Sequence, residues 1–180
     1  YSLVDLCLLL LVVGASLNEF LGIIVLHVAF LLYLESQHKH KERVGFPAYL
    51  WIILGIIGIV LYMHMEVIFY ILFSFLYTTK NKNYFAAFSP LFRGLQMLFL
   101  IGGVIGFNSD LVYLISIVFV IRNLAGDVRD VEKDGREGLK TLPIMIGYRT
   151  GIRSIHLIVV FVSSLIWWII GDLEYYYLLI

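Results

Sequence analysis

Residues 3–34 read LVDLCLLLLVVGASLNEFLGIIVLHVAFLLYL, an apolar run broken only by Asp5 and by a polar patch ending at Glu19. The apolar residues are continuous rather than alternating, which argues for helix and against the in-and-out pattern of a barrel strand. A helix crossing ~30 Å of hydrocarbon needs about 20 residues, so this run is too long for one upright span. Its weak point is Gly14-Ala15-Ser16-Leu17-Asn18-Glu19. The run is either two short helices or one strongly tilted helix with a kink. Further apolar runs follow at 47–62, 66–79, 84–106, 111–126, 152–170 and 173–180. The stretch 47–79 is again too long for one span, and its polar interruption, His64-Met65-Glu66, marks a tight hairpin.

Composition points the same way. Of 180 residues, 61% are hydrophobic and 14% charged, and the mean hydropathy is +0.94. A water-soluble domain of this size has too much surface to hide so many apolar side chains. Lipid removes that conflict, provided that each backbone polar group finds an internal partner. The expected architecture is an all-α, polytopic transmembrane bundle of about seven to eight helices, a single domain over residues 1–180. The chain begins at Tyr1 and stops at Ile180 inside an apolar run, so it is expected to be incomplete at one or both ends. No basic segment precedes the first apolar run, and nothing resembles a signal peptide. A lone cysteine, Cys7, excludes a disulfide framework or a cysteine metal site within the chain.

The formal net charge is zero, but its distribution is one-sided. Lys39, Lys41 and Arg43 fall in one loop and Lys80 and Lys82 in a second. Arg129, Lys133, Arg136, Lys140 and Arg149 fall in a third, flanked by Arg122 and Arg153, and Arg93 lies near the start of its span. With a hairpin at 64–66, all three loops share one side. The opposite connections, 64–66, 107–110 and 171–174, contain no Lys or Arg. Positive charge accumulates on the cytoplasmic side, so the basic loops are expected to face the cytoplasm from a cytoplasmic-type membrane.

The third loop carries the chemistry. Asp127, Asp130 and Asp134 are spaced by three and then four residues, which on a helix stacks three carboxylates along one face. Bunched carboxylates repel one another and call for a cation. A hard ion such as Mg²⁺ takes carboxylate oxygens and completes its shell with water and phosphate. Arg122, Arg129, Lys133, Arg136 and Lys140 stand around the cluster to take further phosphate oxygens. A solvated, mixed-charge loop with incidental spacing is the competing explanation.

The pattern Asp127-x-x-Asp130-x-x-x-Asp134, followed by Gly138-Leu-Lys-Thr-Leu-Pro-x-x-x-Gly147, resembles the second aspartate motif of the UbiA family of intramembrane prenyltransferases. The resemblance runs from Arg122 to Gly147. Tyr77-Thr78-Thr79-Lys80 is similar to the Tyr-x-x-Lys that ends an earlier helix in that family. The following glycines, Gly94, Gly102, Gly103 and Gly106, also fit, although small residues are common in any packed membrane helix. The family's first motif, Asn-Asp-x-x-Asp-x-x-x-Asp, is missing. In its place stands Glu35-Ser-Gln-His38-Lys-His-Lys-Glu42, where Glu35, His38 and Glu42 keep the spacing but not the residue types, and Leu34 replaces the leading Asn. This is either an eroded motif or an ordinary charged loop.

The resemblance implies transfer of a prenyl group from a prenyl diphosphate to a lipophilic acceptor, a quinone-type aromatic or a glycerol lipid, with no nucleic-acid partner. Mg²⁺ is then held by Asp127, Asp130 and Asp134, while Lys80, Arg122 and Lys140 neutralise the diphosphate. The wording Asp-Val-Arg-Asp-Val-Glu leans towards the glycerol lipid. Phe69, Phe73, Phe85 and Phe88 are candidates for lining an isoprenoid tunnel. His27 and His156, on apolar faces, are expected to pack or hydrogen-bond. Trp51, Trp167, Trp168 and Tyr175 to Tyr177 suit an interfacial belt. The alternative is a UbiA-like protein without catalysis, serving in lipid binding or assembly. A phosphotransferase of the CDP-alcohol type also needs clustered aspartates, but its longer motif order is absent.

The topology is tested by cysteine labelling of intact cells after Cys7 is replaced. A cysteine at position 109 is expected to react with an impermeant reagent, and one at 136 to be protected. The reverse pattern inverts the orientation.

Overall fold

The computed structural model describes residues 2–37, 47–82 and 85–172. Among them all regular secondary structure is helical, with no strand. The expectations placed on His38, Glu42 and the 173–180 run lie outside the described residues.

The first apolar run resolves into two helices, α1 (Ser2–Val12) and α2 (Leu17–Ser36). Two local signals separate them. Gly14 adopts φ 70°, a left-handed conformation that ends α1 without a Cβ penalty. Ser16 then caps α2: its Oγ accepts from the Glu19 amide at 3.4 Å, and Glu19 Oε2 accepts from the Ser16 amide at 2.8 Å. The pair forms a reciprocal capping box.

α3 (Ala48–Leu61) and α4 (Glu66–Thr78) follow, separated by a break at Tyr62–Met65 where the sequence places its hairpin. Tyr62 is fully buried there, and its hydroxyl donates to the Leu100 carbonyl at 2.8 Å. Two 3₁₀ turns, Thr79–Lys82 and Ala86–Phe88, lead into α5 (Ser89–Ile105), which has Pro90 in its first turn. α6 (Asp110–Arg129) is followed by the short helices α7 (Val131–Arg136) and α8 (Leu142–Ile146), and then by α9 (Tyr148–Asp172).

Among the described residues, four stretches are long and apolar enough to cross a membrane: Leu17–Ser36, Ala86–Ile105, Asp110–Arg129 and Arg149–Ile166. Three further apolar helices are shorter. The outward faces are as apolar as the core. Ile53, Ile56 and Val60 on α3, Ile68 and Phe75 on α4 and Phe161 on α9 are all exposed. An apolar surface this extensive suits lipid and not water.

α5 runs between α4 and α6, and α9 lies on α6. α3 packs along α2 in the opposite direction, with Gly22 against Tyr62 and Gly58 against Leu26. The same antiparallel order sorts the ends. Phe30 of α2 meets Tyr77 of α4 at 6.0 Å between rings, and the Tyr77 hydroxyl donates to Asn123 of α6 at 3.3 Å. The C-terminal ends of α2, α4 and α6 therefore share one end of the bundle. At the other end His64 lies 3.6 Å from Glu19, and Tyr62 lies against Gly103.

The α2–α3 contact is built on absent side chains. A Cβ on Gly58 would lie 2.6 Å from Leu26 Cγ and 2.8 Å from the Leu26 backbone nitrogen, whereas one on Gly55 meets nothing within 4 Å. Gly58→Ala must push the helices apart, at a cost of about 1–3 kcal/mol. Thermal melts in detergent are expected to fall for Gly58→Ala by roughly 2–4 °C per kcal/mol and not for Gly55→Ala. Equal melting temperatures for the two variants would overturn the close-packing account.

Candidate functional site

Two apolar helices deliver the site residues to one end of the bundle. α4 ends with hydroxyls turned back onto its own carbonyls: Thr78 Oγ1 donates to Phe75 O at 2.7 Å, and Thr79 Oγ1 to Leu76 O at 2.6 Å. Those bonds hold the last turn while the chain tightens into the 3₁₀ segment carrying Lys80. Tyr77 and Lys80 then reach α6 one turn apart. Tyr77 meets Asn123, and Lys80 Nζ meets Asp127 Oδ1 at 2.6 Å. The Tyr-x-x-Lys spacing thus works as a clamp, with Tyr77 at the end of α4 and Lys80 in the 3₁₀ turn grasping residues four apart on α6.

Lys80 Nζ also lies 3.4 Å from Asp134 Oδ2. Asp127 and Asp134 are seven residues apart, two turns along one face, and both are buried. The face is interrupted between them. α6 ends at Arg129 and α7 begins at Val131, with Asp130 as the junction. Asp130 is half-buried and turned to its neighbour: Arg129 Nε and Nη2 donate to its two oxygens, each at 2.9 Å. The structure brings together two of the three aspartates that the sequence stacks, and gives the third to Arg129. The reason is local, since a forked guanidinium one residue away satisfies a carboxylate at an exposed helix junction.

Of the other expected diphosphate ligands, Arg122 is paired with Asp5 of α1 and half exposed. Lys140 is exposed beside the fully buried Thr141. Glu35 lies in the last turn of α2 at the same end of the bundle, and its expected companions fall outside the described residues. Lys80, one of several cations in the sequence reading, becomes the central one.

The electrostatics follow from burial. Burial alone would lower the Lys80 ammonium, but the Asp127 carboxylate and its hydrogen bond, then Asp134, outweigh it and hold the pKa above the ordinary 10.5. Its contribution to stability is then present below 10.5 and is lost only as pH climbs through the higher folded value. The Arg129 hydrogen bond holds the Asp130 carboxyl below its ordinary range. With one ammonium for two buried carboxylates, the cluster keeps one unbalanced negative charge.

Asp127 Oδ2 and Asp134 Oδ2 are buried with no hydrogen-bond partner, as are Asn123 Nδ2, Ser89 Oγ and Thr141 Oγ1. All five atoms belong to segments at this end of the bundle. Each such atom costs about 1–3 kcal/mol when nothing satisfies it. Among the described residues, no group of three or more His, Cys, Asp or Glu side chains stands close enough to hold a metal ion. Two buried carboxylates, one with a free oxygen on Asp127 and one whose Asp134 Oδ2 has only the Lys80 ion pair, do suit Mg²⁺, which commonly takes one or two protein carboxylates and completes its shell with water and phosphate oxygens.

The structure places the aromatic candidates that the sequence left unassigned. Phe69, Phe85 and Phe88 are exposed, and Phe69 and Phe73 stack on Phe99 along the α4–α5 face. A cavity of about 450 Å³ lies elsewhere, between α2, α3 and α4, lined by Phe30, Tyr33, Trp51, Tyr70 and Phe75 among others. His27 is buried and hydrogen-bonded as expected, whereas His156 is exposed on α9. The cavity, the Asn123–Tyr77 clamp and the buried Thr141 have no signature in a single sequence, because they arise from contacts between helices.

Removing the ammonium leaves two buried carboxylates face to face. Lys80→Met is expected to destabilise the protein by about 3–5 kcal/mol in thermal melts. The double variant Lys80→Met/Asp127→Asn should recover part of that loss. Additive losses would show that the pair is not coupled.

No family model, curated protein or solved structure matches this chain, so the chemistry of the site itself must carry the functional reading.

Proposed function

We propose that the chain is a UbiA-like, Mg²⁺-dependent prenyltransferase that moves a prenyl group from a prenyl diphosphate to a lipophilic acceptor within a cytoplasmic-type membrane, the Lys80 end facing the cytoplasm. In this proposal the three shorter apolar helices complete a bundle of seven or eight. One observation carries the reading: a buried Lys80–Asp127–Asp134 cluster at the end of apolar helices, in which Asp127 Oδ2 has no hydrogen bond and Asp134 Oδ2 has only the ion pair with Lys80. The sequence motif supports it independently.

The chemistry follows from the parts. An allylic diphosphate leaves as its carbon–oxygen bond breaks, and negative charge accumulates on the departing phosphate. Mg²⁺, when bound, supplies the charge that stabilises the leaving group. Asp127 and Asp134 would hold the ion, and the Lys80 ammonium would donate to phosphate oxygens. Arg122 and Lys140 are further cations at the same end. The apolar helices around the cluster suit an isoprenoid chain and keep away the water that would intercept an allylic cation. The acceptor is a quinone-type aromatic or a glycerol lipid.

A second reading is a related protein without catalysis, serving in lipid binding or assembly. It is favoured by Lys80, which already neutralises part of the aspartate pair, and by Asp130, which is committed to Arg129.

Binding of a radiolabelled prenyl diphosphate to the purified protein, with and without Mg²⁺, tests the proposal. Asp127→Asn keeps the side chain's size and removes its charge, and it is expected to abolish Mg²⁺-dependent binding. It should also slow any transfer by on the order of a hundredfold or more. Asp130→Asn should cost less. Binding without turnover across both acceptor classes selects the second reading, and unchanged binding by Asp127→Asn removes the site.

A further inference from the structure

Arg93 sits in the second turn of α5 and is almost completely buried within the bundle. On α6 it lies level with Phe119, eight residues before Asp127, which places it ~12 Å below the Lys80 cluster at 1.5 Å per residue. Its direct partners are neutral, and the charged Arg122 lies within electrostatic range. One amino group donates to Gln96 Oε1 and the other to His27 Nε2 at 3.4 Å. The guanidinium lies over the Phe30 ring at 5.2 Å and the Phe119 ring at 5.7 Å. Among the described residues no carboxylate pairs with it.

The neutral partners are themselves held in place. Since His27 Nε2 accepts from Arg93, Nδ1 carries the proton and donates to the Tyr70 hydroxyl at 3.3 Å. Gln96 accepts from Arg93 and donates to Ser74 Oγ, which donates in turn to the Tyr70 carbonyl at 2.7 Å. The network fixes the guanidinium's position without cancelling its charge. A full charge at this depth in an apolar bundle is costly, and such residues mark functional sites by default.

The network also borders a cavity. Phe30, Tyr70 and Ser74 line the 450 Å³ space between α2, α3 and α4, and the same three touch Arg93 or its polar partners. The remainder of the cavity is apolar, formed by Leu26, Ile52, Ile56 and other side chains. An apolar groove, open on the side of Ile56 and Phe75, with one fixed cation behind its wall matches a ligand with an apolar body and a single anionic end.

We infer that Arg93 and this cavity form a binding site for a lipophilic monoanion, a carboxylate on a single hydrocarbon chain, distinct from the Lys80–Asp127–Asp134 cluster. The hydrocarbon chain fills the cavity. The carboxylate pairs with the guanidinium in place of its neutral acceptors. A forked guanidinium suits a carboxylate, and an ion pair sheltered from water is strong. The inference does not depend on prenyl transfer, because Arg93 lies well away from the aspartates.

The test compares palmitate with hexadecanol, which has the same chain and no charge, by equilibrium binding to the purified protein in detergent at pH 8. The intact protein is expected to bind palmitate at least tenfold more tightly. Arg93→Gln should bind the two equally, and Arg93→Lys should keep part of the preference. Should Arg93→Gln fail to fold, the intact protein and Arg93→Lys still decide the matter. A purely structural role for Arg93 predicts no preference in the intact protein, and that result overturns the inference. An undiminished preference in Arg93→Gln also overturns it. Displacement of palmitate by a lower concentration of phosphatidylglycerol would assign the guanidinium to a lipid phosphate and overturn the carboxylate assignment.

Discussion

The Lys80 ammonium between Asp127 and Asp134 is the contact on which the organisation of this end of the bundle depends. It joins the end of α4 to α6 across the break that begins α7, so three elements take their relative positions from one side chain. Such a cluster contributes little net stability, because the cost of taking three charges out of water offsets most of their attraction. Its effect lies in what it forbids. Any sliding of α4 along α6 would strand a buried charge, and that is far more expensive than the intact cluster. The Tyr77–Asn123 hydrogen bond one turn away holds the same register with neutral groups.

The bundle treats its two buried cations in opposite ways. Lys80 has more negative charge around it than it can neutralise, and two carboxylate oxygens are left without a hydrogen bond. Arg93 has hydrogen bonds and aromatic faces but no negative charge. On the readings proposed above, the first arrangement takes a cation carrying phosphate and the second an anion carrying hydrocarbon. Both lie among helices whose outer faces are apolar, where neither imbalance is relieved by water. The sharp separation of the two environments over ~12 Å of helix is possible because α4, α5 and α6 run the same path and each contributes residues at both depths.

Much of the fold was legible in the residues. The apolar runs located the helices, and the interruptions at Gly14–Glu19 and His64–Glu66 located two of the turns. The choice between one kinked helix and two was not made by hydropathy. It rested on the left-handed Gly14 and on the Ser16–Glu19 capping box, which require the chain to be seen closing on itself. The site was half legible. Spacing brought Asp127 and Asp134 to one face, but it also placed Asp130 there, because helical periodicity takes no account of a guanidinium one residue away. Which, if any, of Phe69, Phe73, Phe85 and Phe88 lines a tunnel was not legible for a similar reason: an aromatic side chain in an apolar helix fits lipid, core and cavity equally well.

By itself the sequence determined that the chain is helical and built of long apolar runs, with its basic residues gathered in a few connections. That information is local, carried by the solvent preference of each side chain and by the distance between polar interruptions. Tertiary structure alone decided which charges meet. Lys80 and Asp127 are 47 residues apart, Arg93 and His27 66, and Arg122 and Asp5 117. An ion pair is set by distance in space, and in a bundle that distance follows from which helix packs against which. Gly22, Gly58, Gly94 and Gly103 let neighbouring chains approach closely enough to make that choice, and their effect has no periodicity to read.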